Sequence, residues 1–243
     1  MSIIYEPKGR AREYADLAAN LYSGCAHGCE YCYAPGALRI NKTDFRLCVK
    51  PRKDCLQQLE KDAAKLAGTD KRILLSFSTD PYQPCEEQYG LTRQAIEILH
   101  NYGLGVEILT KGGMRATRDF DLLGMMDFFG TSLTLINYDD SLKWEPGAAD
   151  LADRIAAMVM ANEKGIPTWA SMEPVLDPKQ TLRLIEITYP FCDFYKVGKL
   201  NHHPLAKSID WRRFGWEARN LLESLGKKYY IKDDLREEMG VSK

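Results

Sequence analysis

Residues 17 to 32 read LAANLYSGCAHGCEYC. The first seven, LAANLYS, have the apolar content of a short β-strand, and three cysteines follow within nine residues, Cys25, Cys29 and Cys32, as C-x3-C-x2-C. Three thiols so spaced can hold zinc, hold an iron–sulfur cluster, or be small buried hydrophobes that lie close together. The fold around them has to decide.

The chain has 243 residues, 45% hydrophobic and 28% charged, which is ordinary globular composition and enough to bury a large core. Barrel-type α/β folds of this length form one unit, so a single domain over 1–243 is expected. A formal charge of -1 gives no global attraction to nucleic acid or anionic membrane. The polar start MSIIYEPKGRAREYADLAAN has no signal-peptide core, and no stretch reaches the roughly 20 apolar residues of a membrane span. A cytoplasmic protein without a membrane partner, monomeric, is the expectation. In a reducing compartment, clustered cysteines point to metal or redox chemistry rather than to disulfides.

From residue 72 the chain alternates β-type runs and helical patterns. The runs are RILLSFST (72–79), GVEILTK (105–111), TSLTLIN (131–137), PTWASMEPV (167–175), CDFYKVGKL (192–200) and KKYYIKD (227–233). Helical patterns separate them at 91–103, 117–129, 148–165, 179–190 and 209–226, and an earlier helix is expected over 51–67 with Pro51 in its first turn. Such βαβα repetition builds a parallel sheet covered by helices. Six or more units fit an open or partial barrel, a partial (β/α)6 barrel with its core at 17–200 and a helix–strand–helix extension at 201–243. Chemistry in such folds lies at the C-terminal strand ends, where the cysteine loop falls.

A structural zinc site closes with four protein ligands, commonly as two half-sites, and no second half-site lies near these cysteines. His27 sits between two of them, too close in sequence to share their ion. Three thiolates on a 4Fe-4S cluster leave one iron without a protein ligand, which is where a substrate or cofactor can bind. Gly24 and Gly28 supply the backbone freedom that wrapping a loop around a cluster requires.

C-x3-C-x2-C with Tyr31 before the last cysteine, after a first strand, resembles the radical S-adenosylmethionine (SAM) enzymes. The wording LYSGCAHGCEYCYAP, STDPYQPCE, LTRQAIEIL, ILTKGG, RDFDLL and WEPGAADLADRIAAM is similar to the branch containing spore photoproduct lyase and "DNA repair photolyase"-like proteins, over about residues 17 to 200. The resemblance implies that Cys25, Cys29 and Cys32 ligate a 4Fe-4S cluster and that S-adenosyl-L-methionine chelates its fourth iron. It implies reductive cleavage of SAM to methionine and a 5′-deoxyadenosyl radical that abstracts hydrogen from a substrate, with an external flavodoxin- or ferredoxin-like electron donor. The cofactors carry that chemistry while the protein binds and orients. Tyr31 would then sit beside the adenine.

SAM has an ammonium, a carboxylate, a ribose and a sulfonium, so polar groups at several strand ends are candidates for holding it. Ser78, Thr79 and Asp80 can meet the amino group, or can form an Asx turn ahead of Pro81. Lys111, in ILTKGG, can pair with the carboxylate, or can simply be solvated. Ser132 and Thr134 share one strand face, as ribose contacts or as plain sheet residues. Glu173 is a rim carboxylate that needs a partner or a ligand. Glu145 and Arg154 are a salt-linked pair near the site, or helix-terminal charges. Lys196, Lys199, Asn201, His202 and His203 are candidates for substrate contact.

The spore photoproduct lyases place a hydrogen-donating cysteine before the acidic end of the second strand. Ser76 or Phe77 stands there in this chain, and Cys85 downstream is the substitute candidate. Cys48, Cys55, Cys85 and Cys192 are too scattered for an auxiliary cluster and read as buried thiols. Between Phe194 and Trp216, five Lys/Arg and one Asp interleave with Tyr195, Trp211 and Phe214. That is the composition of a nucleic-acid surface, or of a helix whose aromatics pack inward. Two functions follow: a radical SAM enzyme whose substrate is left open among nucleic acid, peptide and small metabolite, with the resemblance tilting toward nucleic acid, or a zinc-stabilised nucleic-acid-binding module.

Overall fold

The computed structural model describes residues 2–241. Ten strands run β1 (Ile4–Tyr5), β2 (Leu17–Ala19), β3 (Tyr22–Ser23), β4 (Lys50–Pro51), β5 (Arg72–Leu75), β6 (Gly105–Thr110), β7 (Phe128–Ser132), β8 (Thr168–Met172), β9 (Phe194–Val197) and β10 (Lys228–Ile231). Eight of them form one sheet in the order β1-β2-β5-β6-β7-β8-β9-β10, and β3 and β4 form a separate antiparallel pair. All neighbours from β2 to β10 are parallel, and β1 alone runs antiparallel, against β2. No pairing among the described residues joins β1 to β10, so the sheet is open. The six units from β2 to β9 are the expected partial barrel. The extension contributes β10 as a seventh parallel strand, between the helices Trp211–Ser224 and Asp233–Met239.

Period-two alternation gives the sheet two different faces. On one, Ile73, Val106, Ile108, Phe129, Ala170, Met172, Tyr195 and Val197 meet Leu59, Ile96, Leu99, Met158, Leu184, Phe214 and Leu222 of the covering helices. The opposite face carries a small separate cluster of Ala18, Leu74 and Trp169 with Tyr14 from the N-terminal segment. Within it Lys196 lies 3.4 Å from Glu107 and 4.8 Å from the Trp169 ring centre. Burial pushes the Lys196 ammonium down and the Glu107 carboxyl up, each partly offset by the other's charge.

Several boundaries differ from the sequence expectation. The first strand stops at Ala19 because the Asn20 side chain takes over. Its Oδ1 accepts from Phe77 N (2.9 Å) and Ser78 N (2.8 Å), and its Nδ2 donates to Tyr5 Oη (2.8 Å), so the chain leaves the sheet and pairs again as β3. Pro51 lies in β4 and not in a helix; the helix begins at Cys55. The helix expected over 117–129 is a 3-10 turn at Gly113–Asp119, and Phe128 and Phe129 belong to β7. Asp127 fastens this short crossover by accepting from Val106 N (2.8 Å) and Gly124 N (2.8 Å), which local periodicity does not reveal. Among the described residues no helix is long and apolar enough to cross a membrane.

Candidate active site at the strand ends

The strand ends and the cysteine loop enclose a cavity of about 400 Å³. Cys25, Cys29 and Cys32 all line it. The loop leaves β3 through Gly24 at φ +85°, where a Cβ would stand 2.6 Å from Phe45 O, so glycine is needed for both conformation and space. Phe45 O accepts from Cys25 N at 2.9 Å, Trp144 O from Glu30 N at 2.8 Å, and His27 O from Gly147 N at 2.9 Å. The loop is therefore tied on two sides before any cofactor binds.

A third tie comes from the segment after β5. Gln83 is fully buried; its Oε1 accepts from Ala26 N (2.9 Å) and its Nε2 donates to Gly24 O (3.2 Å). The Asp80 carboxylate accepts from Thr110 Oγ1 (2.6 Å), Tyr82 N (2.8 Å) and Lys111 N (2.8 Å), and stands 3.4 Å from His27 Nδ1. Burial alone would raise its pKa, but His27 and these hydrogen bonds hold it below the usual carboxylate range. Asp80 thus joins the cysteine loop to the end of β6.

Glu145 and Arg154 are a buried pair at 2.6 Å, and Arg154 also donates to Ala149 O (2.8 Å) and Ser132 O (3.0 Å). Tyr31 Oη donates to the same Glu145, and Lys111 Nζ lies 4.0 Å from it and 5.6 Å from the Tyr31 ring centre. Burial opposes the charge on Glu145, and Arg154 and Lys111 outweigh it, so the carboxyl stays below its ordinary range. This network fixes Tyr31 and Lys111 on the cavity wall.

The opposite wall uses other parts of the chain. Glu173 accepts from Tyr14 Oη (2.5 Å) and from Lys232 Nζ (2.8 and 3.1 Å), and Tyr14 Oη also lies 2.8 Å from Ser171 Oγ. A Cβ at Gly198 would stand 2.7 Å from Glu173 Cδ, so this glycine makes the carboxylate's room. Lys8, Arg10, Lys199 and His202 line the same end. Arg10 faces Asp234 at 3.5 Å and Lys199 faces Glu238 at 2.5 Å.

Of the residues chosen from sequence, Tyr31, Ser78, Thr79, Asp80, Lys111, Ser132, Glu173 and the three cysteines line the cavity together. Thr134 does not; it is buried beyond the strand end. Cys85 does not either: it precedes the short helix Glu86–Tyr89 and packs against the helix-side core, so the geometry gives no support to a hydrogen donor there. The aromatic-basic stretch from 194 to 216 is not a surface patch, since Tyr195, Trp211 and Phe214 are buried, Lys196 points under Trp169, and Arg213 pairs with Glu217 at 2.7 Å. Sequence reasoning passed over Tyr14, Gln83 and Lys232. Lys232 directly follows β10, so the strand-end rule could have found it, whereas nothing local marks Tyr14 or Gln83.

The donor set fits an iron–sulfur cluster. Burial raises the Cys25 thiol well above its ordinary pKa and Cys29 to about 12, so both are protonated thiols until a metal displaces the proton. Among the described residues no three His, Cys, Asp or Glu side chains stand close enough to share one ion. Thiols that each take a separate iron do not need to.

Comparison with known proteins agrees with this geometry. Residues 19–189 match the profile of the radical SAM superfamily, and the chain belongs to that superfamily. It is 31% identical over 195 residues to an uncharacterised protein of Methanocaldococcus jannaschii, covering 77% of this chain and 71% of that one. It is 27% identical over 213 residues to a radical SAM Nalpha-GlyT isomerase of Pseudomonas phage M6, covering 86% of this chain but only 42% of the isomerase. Among solved structures, spore photoproduct lyase with bound AdoMet and dinucleoside spore photoproduct superposes with TM-score 0.70 at 15% identity, over 93% of this chain and 78% of the lyase. SuiB of Streptococcus suis bound to S-adenosylmethionine gives 0.64 at 12% identity, over 90% and 51%. The protein is an enzyme of the radical SAM class.

Proposed function

We propose that this enzyme holds a 4Fe-4S cluster on Cys25, Cys29 and Cys32, binds SAM at the remaining iron, and acts on a substrate with a nucleic-acid component. When bound, these cofactors supply the 5′-deoxyadenosyl radical that takes a hydrogen atom from the substrate. The carrying observation is the convergence of the three thiols with Tyr31, Lys111 and Ser132 on one cavity.

The chain's own residues then bind and orient. Lys111 faces the SAM carboxylate as a counter-ion, with Glu145 and Tyr31 fixing its place. Tyr31 lies along the adenine, and Ser132 offers its hydroxyl to the ribose. Ser78 and Thr79 meet the amino group, whereas Asp80, its carboxylate already engaged, shapes the wall. Glu173, Tyr14 and Lys232 close the far end and position the substrate. The nucleic-acid reading is supported by Lys8, which lines that end without an ion-pair partner among the described residues, and by the dinucleoside held in the structurally similar lyase.

The test is incubation of anaerobically reduced protein with SAM. Release of 5′-deoxyadenosine and methionine in equal amounts is expected. Iron-loaded protein that releases neither would refute the assignment.

A further inference from the structure

One feature of the sequence has no part in the cavity. Between Leu38 and Asp54 there are six Lys/Arg against two Asp, in a chain whose overall formal charge is -1. The segment is largely exposed: residues 36–44 are exposed throughout, and of the helix Lys42–Leu47 only Phe45 is buried. Lys42 and Arg46 share one acid, Glu30, at 2.8 and 2.9 Å, while Arg39, Lys50 and Lys53 have no ion-pair partner among the described residues. Elsewhere among the described residues some bases are matched, as Arg213 is by Glu217 and Arg219 by Glu223, and others, such as Lys143, Lys164 and Arg212, are not. Leu38, Ile40 and Leu47, the last 78% exposed, belong to the same segment.

The segment is also the outer support of the cysteine loop. Phe45 O accepts from Cys25 N at 2.9 Å, and Arg46 Nη2 donates to Cys29 O at 3.2 Å. A molecule resting on this face is one residue layer from two of the three cysteines, with hydrogen-bonded backbone between.

We propose that this face is the docking surface for an acidic one-electron carrier protein. The inference rests on the cluster assignment made above. Unmatched cations and a few exposed apolar side chains in one segment suit a transient partner: charge steers the encounter and the apolar groups give brief contact, as in small redox interfaces of under about 1,200 Å². In the transfer the carrier loses one electron and the iron–sulfur centre gains it; no bond forms or breaks and no proton need move. A nucleic acid would also be drawn to the cations, but the backbone links lead to the cysteines, and among the described residues Tyr33 is the one exposed aromatic of the 30–54 stretch available for stacking.

The experiment compares two reductants on iron-loaded protein. Reduced flavodoxin, an acidic carrier, and dithionite, a small reductant, are each mixed with wild type and with the triple variant Arg39→Glu, Lys50→Glu, Lys53→Glu. Bleaching of the visible band gives the rate. At low salt the variant's flavodoxin rate should fall at least about tenfold and lose its salt dependence, with the dithionite rate and dithionite-driven SAM cleavage unchanged. An unchanged flavodoxin rate overturns the proposal, and so does a loss of nucleic-acid binding with flavodoxin reduction intact. Should the triple variant fail to load iron, the charge-neutral Lys50→Gln, Lys53→Gln pair is used, with a smaller flavodoxin-specific loss expected and an equal rate overturning the idea. A wild type that binds no iron refutes the cluster assignment instead, and is seen before any reductant is added.

Discussion

The two ends of the cavity are built differently. At the cysteine end, main-chain groups and buried side chains do the holding: Gln83 on Ala26 and Gly24, and Asp80 across to Thr110 and Lys111. At the other end the wall is made of charged side chains paired with one another, Lys232 with Glu173, Arg10 with Asp234 and Lys199 with Glu238. The first set falls inside the residues that match the superfamily, 19–189. Of the second, Arg10, Lys199, Lys232, Asp234 and Glu238 lie outside them. Buried backbone ties fix the cysteine loop, and under the proposed function substrate choice would fall to side chains whose replacement breaks no tie to that loop.

The largest effect should separate the ends directly. Cys29→Ala should lose iron and reduce SAM cleavage to background. Glu173→Gln should keep its iron and cleave SAM without substrate to within about twofold of wild type, because no tie to the loop is broken. Iron analysis and 5′-deoxyadenosine release check both. Equal losses in the two variants would erase the distinction.

The face beneath the cavity gives the next largest change. Lys196→Met leaves the Glu107 carboxyl buried without its cation and should destabilise the fold by about 3 to 5 kcal/mol in denaturant titration, whereas Lys196→Met with Glu107→Gln should recover most of the loss. A double variant as unstable as the single one would show that Lys196 contributes through packing on Trp169 and Tyr14 instead. Lys111→Ala should raise the KM for SAM about tenfold, roughly 1.4 kcal/mol of binding, with iron content unchanged.

The smallest effect concerns the N-terminal arm that brings Lys8, Arg10 and Tyr14 to the far end. Asp62 accepts from Ile3 N (2.8 Å) and Ser2 Oγ (2.7 Å) and pairs with Lys65 (2.8 Å). Burial opposes its charge, but these partners bring its pKa down to about 2. A carboxyl lowered on folding stabilises fully above its ordinary value of about 4 and loses that contribution as pH falls toward the folded value. Asp62→Asn should therefore flatten the stability profile between about pH 4 and 2, measured by thermal unfolding across that range.

The βα alternation and the cysteine loop were legible because each depends on local pattern: apolar runs of strand length, and three thiols at fixed spacing after the first of them. Lys111 and Glu173 were found by their places at strand ends, a topological rule that works without contacts, whereas Ser132 was reached by face alternation on a strand expected over 131–137 that in fact ends at Ser132. Tyr14 and Gln83 were not, since Tyr14 reaches Glu173 across 159 residues and Gln83 reaches Ala26 across 57. The 194–216 stretch kept two readings open for a related reason, and the structure bears out the inward-packed helix. Composition does not say which face a side chain takes, and here the aromatics went to the core.

The central claim is tested most directly by metal analysis of anaerobically purified protein together with electron paramagnetic resonance after reduction. About four irons per chain, a reduced-cluster signal that changes when SAM is added, and loss of both in Cys25→Ala, Cys29→Ala and Cys32→Ala are predicted. Colourless protein carrying one zinc per chain on the same cysteines would contradict it.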